Sequence, residues 1–119
     1  MEKTLFVKTL GDSPKIRVLD MLITGRELDY SITDIAEQAG IGRATFYRMM
    51  SEMLKEKVII STKKYGNMQL YKLNEKNNTV FQLIKFYDYI CHVESEREIE
   101  RQRKKVSVKV KSSKKVKKS

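Results

Sequence analysis

The chain has one cysteine, one histidine, one proline and no tryptophan in 119 residues. A single cysteine, Cys91, excludes an internal disulfide framework and any cysteine-rich zinc or iron–sulfur site. It also makes a reducing cytoplasm the expected compartment. The single histidine, His92, adjoins that cysteine on one helix, where the two make a poor chelate, so no metal or cofactor is expected. No apolar run approaches the roughly 18–20 residues needed to span a bilayer, and no membrane partner is expected. The first ten residues mix Glu2, Lys3 and Lys8 with apolar ones. They lack the unbroken apolar stretch and small-residue cleavage site of a signal peptide. A Gly-rich phosphate loop, a nucleophile–base pair and a metal cluster are missing too, so an enzyme is the least expected class.

What the chain has is charge of one sign. Lys and Arg number 25 against 15 Asp and Glu, a formal net of +10. Such an excess points to a polyanionic partner, nucleic acid first and an anionic membrane surface second. The excess is local. Residues 103–119 hold nine basic side chains and no acidic one, while residues 1–102 hold 16 basic and 15 acidic, a net of +1. The tail has no aromatic residue. It cannot bury enough apolar surface to offset its ordering entropy, and it is expected to be disordered.

The rest reads as helices and one hairpin. Leu5, Phe6 and Leu10 suggest a short apolar helix ending at Gly11. Ser13 then caps a helix with Pro14 at its first position, and Ile16, Leu19, Leu22 and Ile23 form its apolar stripe up to Gly25. Tyr30–Ile32 is long enough for only a scrap of strand. Thr33 can cap the next helix, with Asp34 and Glu37 near its positive end and Ile35, Ala36 and Ala39 facing inward. Gly40 ends it. A further helix begins at Gly42 or Arg43 and runs to about Glu56, with Phe46, Met50, Met53 and Leu54 on one face. Val58–Thr62 and Met68–Leu73 read as strands joined by turn chemistry at Tyr65-Gly66-Asn67. With Asn77 or Asn78 as cap, a long helix follows from Thr79 to about Lys104.

Helix, helix, tight turn, helix, hairpin is the order of a helix-turn-helix with a β wing. The stretch from Ile32 to Ile60, with its Thr-Asp-Ile-Ala opening, Ala39-Gly40-Ile41 turn and Thr45-Phe46-Tyr47-Arg48, resembles winged helix-turn-helix regulators of the MarR/ArsR type. Leu10-Gly11-Asp12-Ser13-Pro14-Lys15 looks like the opening of ArsR-like and related archaeal-type domains, and Leu70–Asn74 is similar to a wing's exit strand. The resemblance covers roughly residues 5–92. It departs at Lys57, where many relatives carry glycine. The expected fold is mainly α with a small β wing. The expected division is a DNA-binding domain over 1–78, a C-terminal helix over 79–102 and the basic tail.

A helix fits the major groove, and its first turns reach base edges. Arg43 and Arg48 can pair with guanine or phosphate, or form a merely solvated face. Thr45, Tyr47 and Ser51 can donate hydrogen bonds, with Tyr47 equally readable as a core edge. Ala44 allows close approach, and Gly42 and Thr33 stand at helix starts, where phosphate is favoured. Lys63, Lys64 and Gly66 belong to the wing, where the lysines contact DNA or simply protect a strand edge. In the families resembled, terminal helices pair two subunits. Val80, Leu83, Ile84, Tyr87, Ile90 and Cys91 form the stripe expected to do so here. The expected partners are therefore double-stranded DNA and a second copy, with any small-molecule effector unknown. The expected function is transcription regulation. The alternatives are an architectural or partition-type DNA-binding protein of low specificity, and a winged-helix protein-docking module.

Overall fold

The computed structural model describes residues 3–118, with side chains as far as Val106. The chain divides into two compact units, Met1–Tyr87 and Asp88–Ser119. The elements run α1 (Leu5–Leu10), α2 (Pro14–Thr24), α3 (Ile32–Ala39), α4 (Arg43–Lys55), β1 (Ile59–Tyr65), β2 (Met68–Leu73) and α5 (Asn78–Lys118).

Side-chain caps start most of the helices. Thr4 accepts from Val7 N at the head of α1, and Ser13 from Ile16 N at the head of α2, with Pro14 in the first position as expected. Each supplies an acceptor for a backbone N–H that has no intrahelical partner. For α3 the sequence reading puts the cap at Thr33, and the structure puts it two residues earlier. Ser31 Oγ accepts from Asp34 N at 3.1 Å, and the Asp34 carboxylate accepts from Ser31 N at 3.3 Å. This reciprocal box satisfies two donors at once, which a lone Thr33 hydroxyl cannot match. Asn77 caps α5, its Oδ1 accepting from Thr79 N at 2.9 Å and Val80 N at 3.2 Å.

The first unit has one core. Phe6 of α1, Val18, Leu22 and Ile23 of α2, Ile35 of α3, Phe46 of α4, Ile59 and Leu73 of the hairpin and Val80 of α5 are all essentially inaccessible to solvent. Each such side chain contributes roughly 1.5–3 kcal/mol relative to an exposed one. The compact unit therefore continues to Tyr87 rather than ending at residue 78, because the first turns of α5 bring Val80 and Ile84 into this core.

β1 and β2 pair antiparallel, with Ile59 opposite Leu73 and Tyr65 opposite Met68. Gly66 and Asn67 form the two-residue loop. Gly66 stands first with φ 58°, a backbone that the Cβ of other residues disfavours. The register slips between Ser61 and Lys64, so that Thr62 and Lys63 together oppose Leu70, a β-bulge. Tyr30 adds one bridge on the other side of β2, with Tyr30 N to Tyr71 O and Tyr71 N to Tyr30 O both 2.8 Å. That is the scrap of strand expected there. Gly25 is needed beside it for space rather than torsion: a Cβ there would lie 1.9 Å from the Tyr30 hydroxyl.

α5 does not stop near Lys104. Its helical range takes in 103–118, the stretch expected to be disordered. No glycine or proline interrupts it, and its cations gather toward the C-terminal end, where the helix dipole favours positive charge. Residue 119 lies outside the described residues. No helix is long and apolar enough to cross a membrane among the described residues.

Candidate nucleic-acid interface

α3 and α4 form a helix-turn-helix, and the turn between them is tightly specified. Gly40 has φ 69°, with Ile41 N donating to Ala36 O at 3.0 Å and Gly40 N to Glu37 O at 3.1 Å. This paired pattern closes the helix end and reverses the chain. A side chain from 23 residues upstream holds the turn. Arg17 Nη1 donates to Gly40 O at 3.4 Å, while its Nη2 donates to Asp12 Oδ2 at 2.9 Å and its Nε to Asp12 Oδ1. The Arg17 guanidinium, helped by Lys3 at 3.2 Å, holds the Asp12 carboxyl well below the usual carboxylate range. Asp12 in turn raises the pKa of Arg17.

The start of α4 differs from the other helix starts. Gly42 sits at its cap position, with φ −71° and ψ 149°, and no side chain caps the first turn. The backbone N–H groups there face outward unmet by a side chain, beside the positive end of the helix dipole. Gly42, Arg43, Ala44, Tyr47, Arg48 and Ser51 are all exposed, with Tyr47 50% so, and Thr45 is half-buried. Tyr47 is thus on the outer surface and not in the core. Arg48 Nη2 lies 3.5 Å from Thr45 Oγ1, so only a weak bond ties this guanidinium down. On the opposite face Phe46 and Met53 are buried, with Met50 and Leu54 half-buried. The structure therefore gathers the sequence-predicted α4 residues on one accessible side. Thr33 is not among them. It lies half-buried in the first turn of α3, after the Ser31 cap.

The far end of α4 repeats the closure of α3 with a less suitable residue. Val58 N donates to Met53 O at 2.9 Å and Lys57 N to Leu54 O at 3.1 Å. Lys57 takes φ 60°, the one positive-φ non-glycine among the described residues. A lysine in that conformation costs on the order of 1 kcal/mol relative to glycine. Two asparagines offset it. Asn74 Nδ2 donates to Lys57 O at 2.9 Å, and Asn77 Nδ2 donates to Glu56 O and Lys57 O, both at 3.1 Å. They satisfy carbonyls that the helix end leaves open. Asn77 thus joins the end of α4 to the start of α5.

On the wing, Lys63, Lys64 and Gly66 are exposed. Lys63 lies at the bulge, where Gln69 Nε2 donates to Lys63 O at 2.9 Å and to Leu70 O at 3.1 Å. The Lys63 ammonium, itself exposed, reaches only to 4.0 Å from the half-buried Asp29, a long pair that holds it weakly. A Cβ on Gly66 would meet nothing, so the glycine serves the turn and not a close contact.

The stripe assigned to pairing of subunits divides. Val80 and Ile84 are buried inside the chain's own core and have no area left for a partner. Tyr87, half-buried, packs at a tilt of 56° against Phe6 with ring centroids 5.3 Å apart, and its hydroxyl lies 2.6 Å from Thr24 Oγ1. Leu83 is half-buried, Ile90 is buried and Cys91 is exposed. Among the described side chains of α5, Phe81, Phe86 and Tyr89 are exposed, with Ile99 and Val106 further along. Among the described residues no group of three His, Cys, Asp or Glu is placed to hold a metal ion.

No protein-family model and no curated protein matches the chain. Solved structures do. The adhesin competence repressor AdcR of Streptococcus pyogenes superposes with a TM-score of 0.56 at 14% identity, over 82% of this chain and 75% of that one. HlyU from Vibrio cholerae gives 0.53 at 12%, over 71% and 82%. ZitR of Lactococcus lactis, in complex with DNA, gives 0.51 at 18%, over 67% of this chain and 57% of that one. The chain has the winged-helix fold. Identities this low show the fold alone.

The Arg17 clamp and the asparagine clamp escape a reading of the sequence. Arg17 and Gly40 are too far apart in the chain for any local pattern to link them. Gly42 does carry a signal, since a glycine where Ser, Thr, Asp or Asn would cap leaves the helix start open.

Proposed function

We propose that the protein is a DNA-binding transcription regulator that lays α4 in the major groove and sets the 61–68 wing against the backbone or minor groove. The observation that carries this reading is the start of α4. It is the helix start without a side-chain cap, and Arg43, Ala44, Tyr47, Arg48 and Ser51 stand exposed along the turns that follow. Free N–H groups at a helix start favour a phosphate, and the side chains of the next turns reach base edges. The DNA complex of ZitR, a protein of the same fold, agrees with such use. The protein acts as a homodimer whose two α4 helices stand about one DNA turn, roughly 34 Å, apart.

A second reading, an architectural protein of low specificity, draws on the nine cations of residues 103–119. Selection from random DNA followed by a salt titration separates the two. A regulator yields a defined palindrome and a large ratio of specific to non-specific affinity. An architectural protein yields a steep salt slope and no preferred site. If Arg43→Ala and Arg48→Ala both leave DNA binding intact, the groove assignment is wrong and a protein-docking role takes its place.

A further inference from the structure

The outer face of the wing is apolar where a wet face is normally polar. Tyr71 and Leu73 of β2 are buried, so alternation turns Met68, Leu70 and Lys72 away from the core. Ile60 pairs with Lys72 and Tyr65 with Met68, and directly opposed residues share a face. Exposure on that face grows toward the tip, from 40% at Ile60 to 49% at Met68 and 61% at Tyr65. The β-bulge is what puts Tyr65 there. By strict alternation from the buried Ile59, Tyr65 would lie on the core side. The extra residue between Ser61 and Lys64 reverses this and sets Tyr65 opposite Met68. The Gln69 amide holds the bulge by donating to Lys63 O and Leu70 O.

We propose that Tyr65 and Met68 act as a wedge: they enter the DNA minor groove together and part a base step, so that the duplex bends. This rests on the DNA-binding reading above and adds what the wing tip does and which sequences it favours. Charge supports that occupant. Residues 57–74 hold Lys57, Lys63, Lys64 and Lys72 and no acid. Asp29, from outside the hairpin, comes within 4.0 Å of Lys63. A cationic hairpin with an apolar tip fits a partner whose rim is anionic and whose interior is apolar. The minor groove has phosphates along both edges, and sugars and bases between them.

The tip is also the right shape. Two strands closed by the two-residue turn Gly66-Asn67 make a narrow, convex end, suited to a groove rather than to a flat face. A groove about 6 Å wide does not admit a tyrosine and a methionine side by side unless it widens. Widening by apolar side chains unstacks a base step and bends the duplex toward the major groove. Methionine is unbranched and adaptable, which suits insertion, and the tyrosine ring can stack on a base. Neither offers phosphate what lysine does, so their gain comes from leaving water. The cost of unstacking is lowest at TA and CA/TG steps. The wing therefore selects such a step without reading its hydrogen-bonding edges, while Lys63 and Lys64 hold the phosphates beside it.

The test uses the full chain and the DNA site obtained by selection. 2-Aminopurine, a base analogue that brightens on unstacking, is placed at one position of the site at a time. Binding should brighten it at the step under the wing, and end-labelled duplexes should show a bend of about 20° or more. In Tyr65→Ser with Met68→Ser both signals are lost and affinity falls about tenfold or more. Tyr65→Phe with Met68→Leu keeps them. A mismatch at that step, already poorly stacked, strengthens binding by the native chain and not by the serine variant. Lys63→Ala with Lys64→Ala lowers the salt slope by about 2 yet keeps the brightening at saturation. Tight binding to a straight duplex with no brightening at any position would overturn the wedge and leave the regulator standing. A serine variant that melts far lower but still brightens the analogue would make the pair a support of the hairpin and overturn the wedge too. So would a serine variant that binds DNA as the native chain does but no longer sediments with phosphatidylserine vesicles, which would assign the pair to an anionic membrane. Failure to bind any duplex would remove the DNA reading and the wedge together.

Discussion

α3 and α4 are neighbours in one helix-turn-helix, and they end alike but begin differently. Both close with the same pair of reversed hydrogen bonds around a left-handed residue, Gly40 in one and Lys57 in the other. At their starts, α3 is sealed by the Ser31–Asp34 box, whereas α4 begins at Gly42 with no side-chain cap. Capping stabilises a helix by satisfying donors that are otherwise left to water. An uncapped start on a well-packed helix therefore forgoes that stability and leaves its donors to water or a ligand. In this molecule α1, α2, α3 and α5 start under a side-chain cap, and α4 starts without one.

The largest expected effect lies in what the two helices share. Phe46 of α4 is completely buried, as is Ile35 of α3. Phe46→Ala should lower unfolding stability by about 3–5 kcal/mol, the usual cost of removing a buried ring. Thermal or denaturant melting checks it. A loss under about 1 kcal/mol would mean that α4 is held by something other than this core.

The next effect separates the outer face of α4 from its inner one. Arg48→Ala should weaken binding to the selected DNA site by about 1–3 kcal/mol if the guanidinium reads a base. Melting should hardly change, since Arg48 is exposed and only weakly bonded to Thr45. A fall in stability matching the fall in affinity would make Arg48 structural and blur the difference between the two faces.

How much of this was legible in the sequence follows the same division. The helix order, the inward residues Ile35, Ala36, Ala39 and Phe46, the stop at Gly40 and the hairpin all lie in local spacing, because helix and strand periodicity are local properties. The α3 cap was misplaced because both Ser31 and Thr33 are favoured capping types, serine only somewhat the better. The reciprocal bond from Asp34, three residues after Ser31, decides between them. Along α5 the stripe from Val80 to Cys91 was visible. Its division between core and surface was not, because that depends on where α1 and α2 come to lie. Phe6 packs on Tyr87 across most of the first unit's length in sequence. The helical range of the basic stretch was missed because composition weighs apolar content and charge, while the absence of any helix-breaking residue there carries no apolar signal.

The helix starts and ends can be compared through two substitutions of similar size and opposite sign. Ser31→Ala removes an acceptor and breaks the box at the head of α3, and it should cost about 0.5–2 kcal/mol in a melt. Lys57→Gly removes the strain of φ 60° at the foot of α4 and should stabilise by about 1 kcal/mol. If Lys57→Gly destabilises instead, the lysine side chain contributes more than its backbone conformation costs. The likeness between the ends of α3 and α4 would then be one of hydrogen bonds only.

The smallest expected change in stability tests the exception itself. At Gly42 the backbone is extended and accepts any residue, and a Cβ there would lie 3.8 Å from Thr45 Oγ1, an ordinary contact. Gly42→Ser therefore adds to α4 the kind of cap that α2 and α3 already have. Relative to glycine, that gain is only a few tenths of a kcal/mol. The same hydroxyl occupies the donors of the first turn and competes with a phosphate for them. Melting temperature should rise slightly while DNA affinity falls, a pairing that no purely structural role for Gly42 produces. If affinity stays level as stability rises, the open start of α4 is a gap in the capping and not a contact. DNA recognition would then have to rest on the side chains of Arg43 and Arg48 and on the wing.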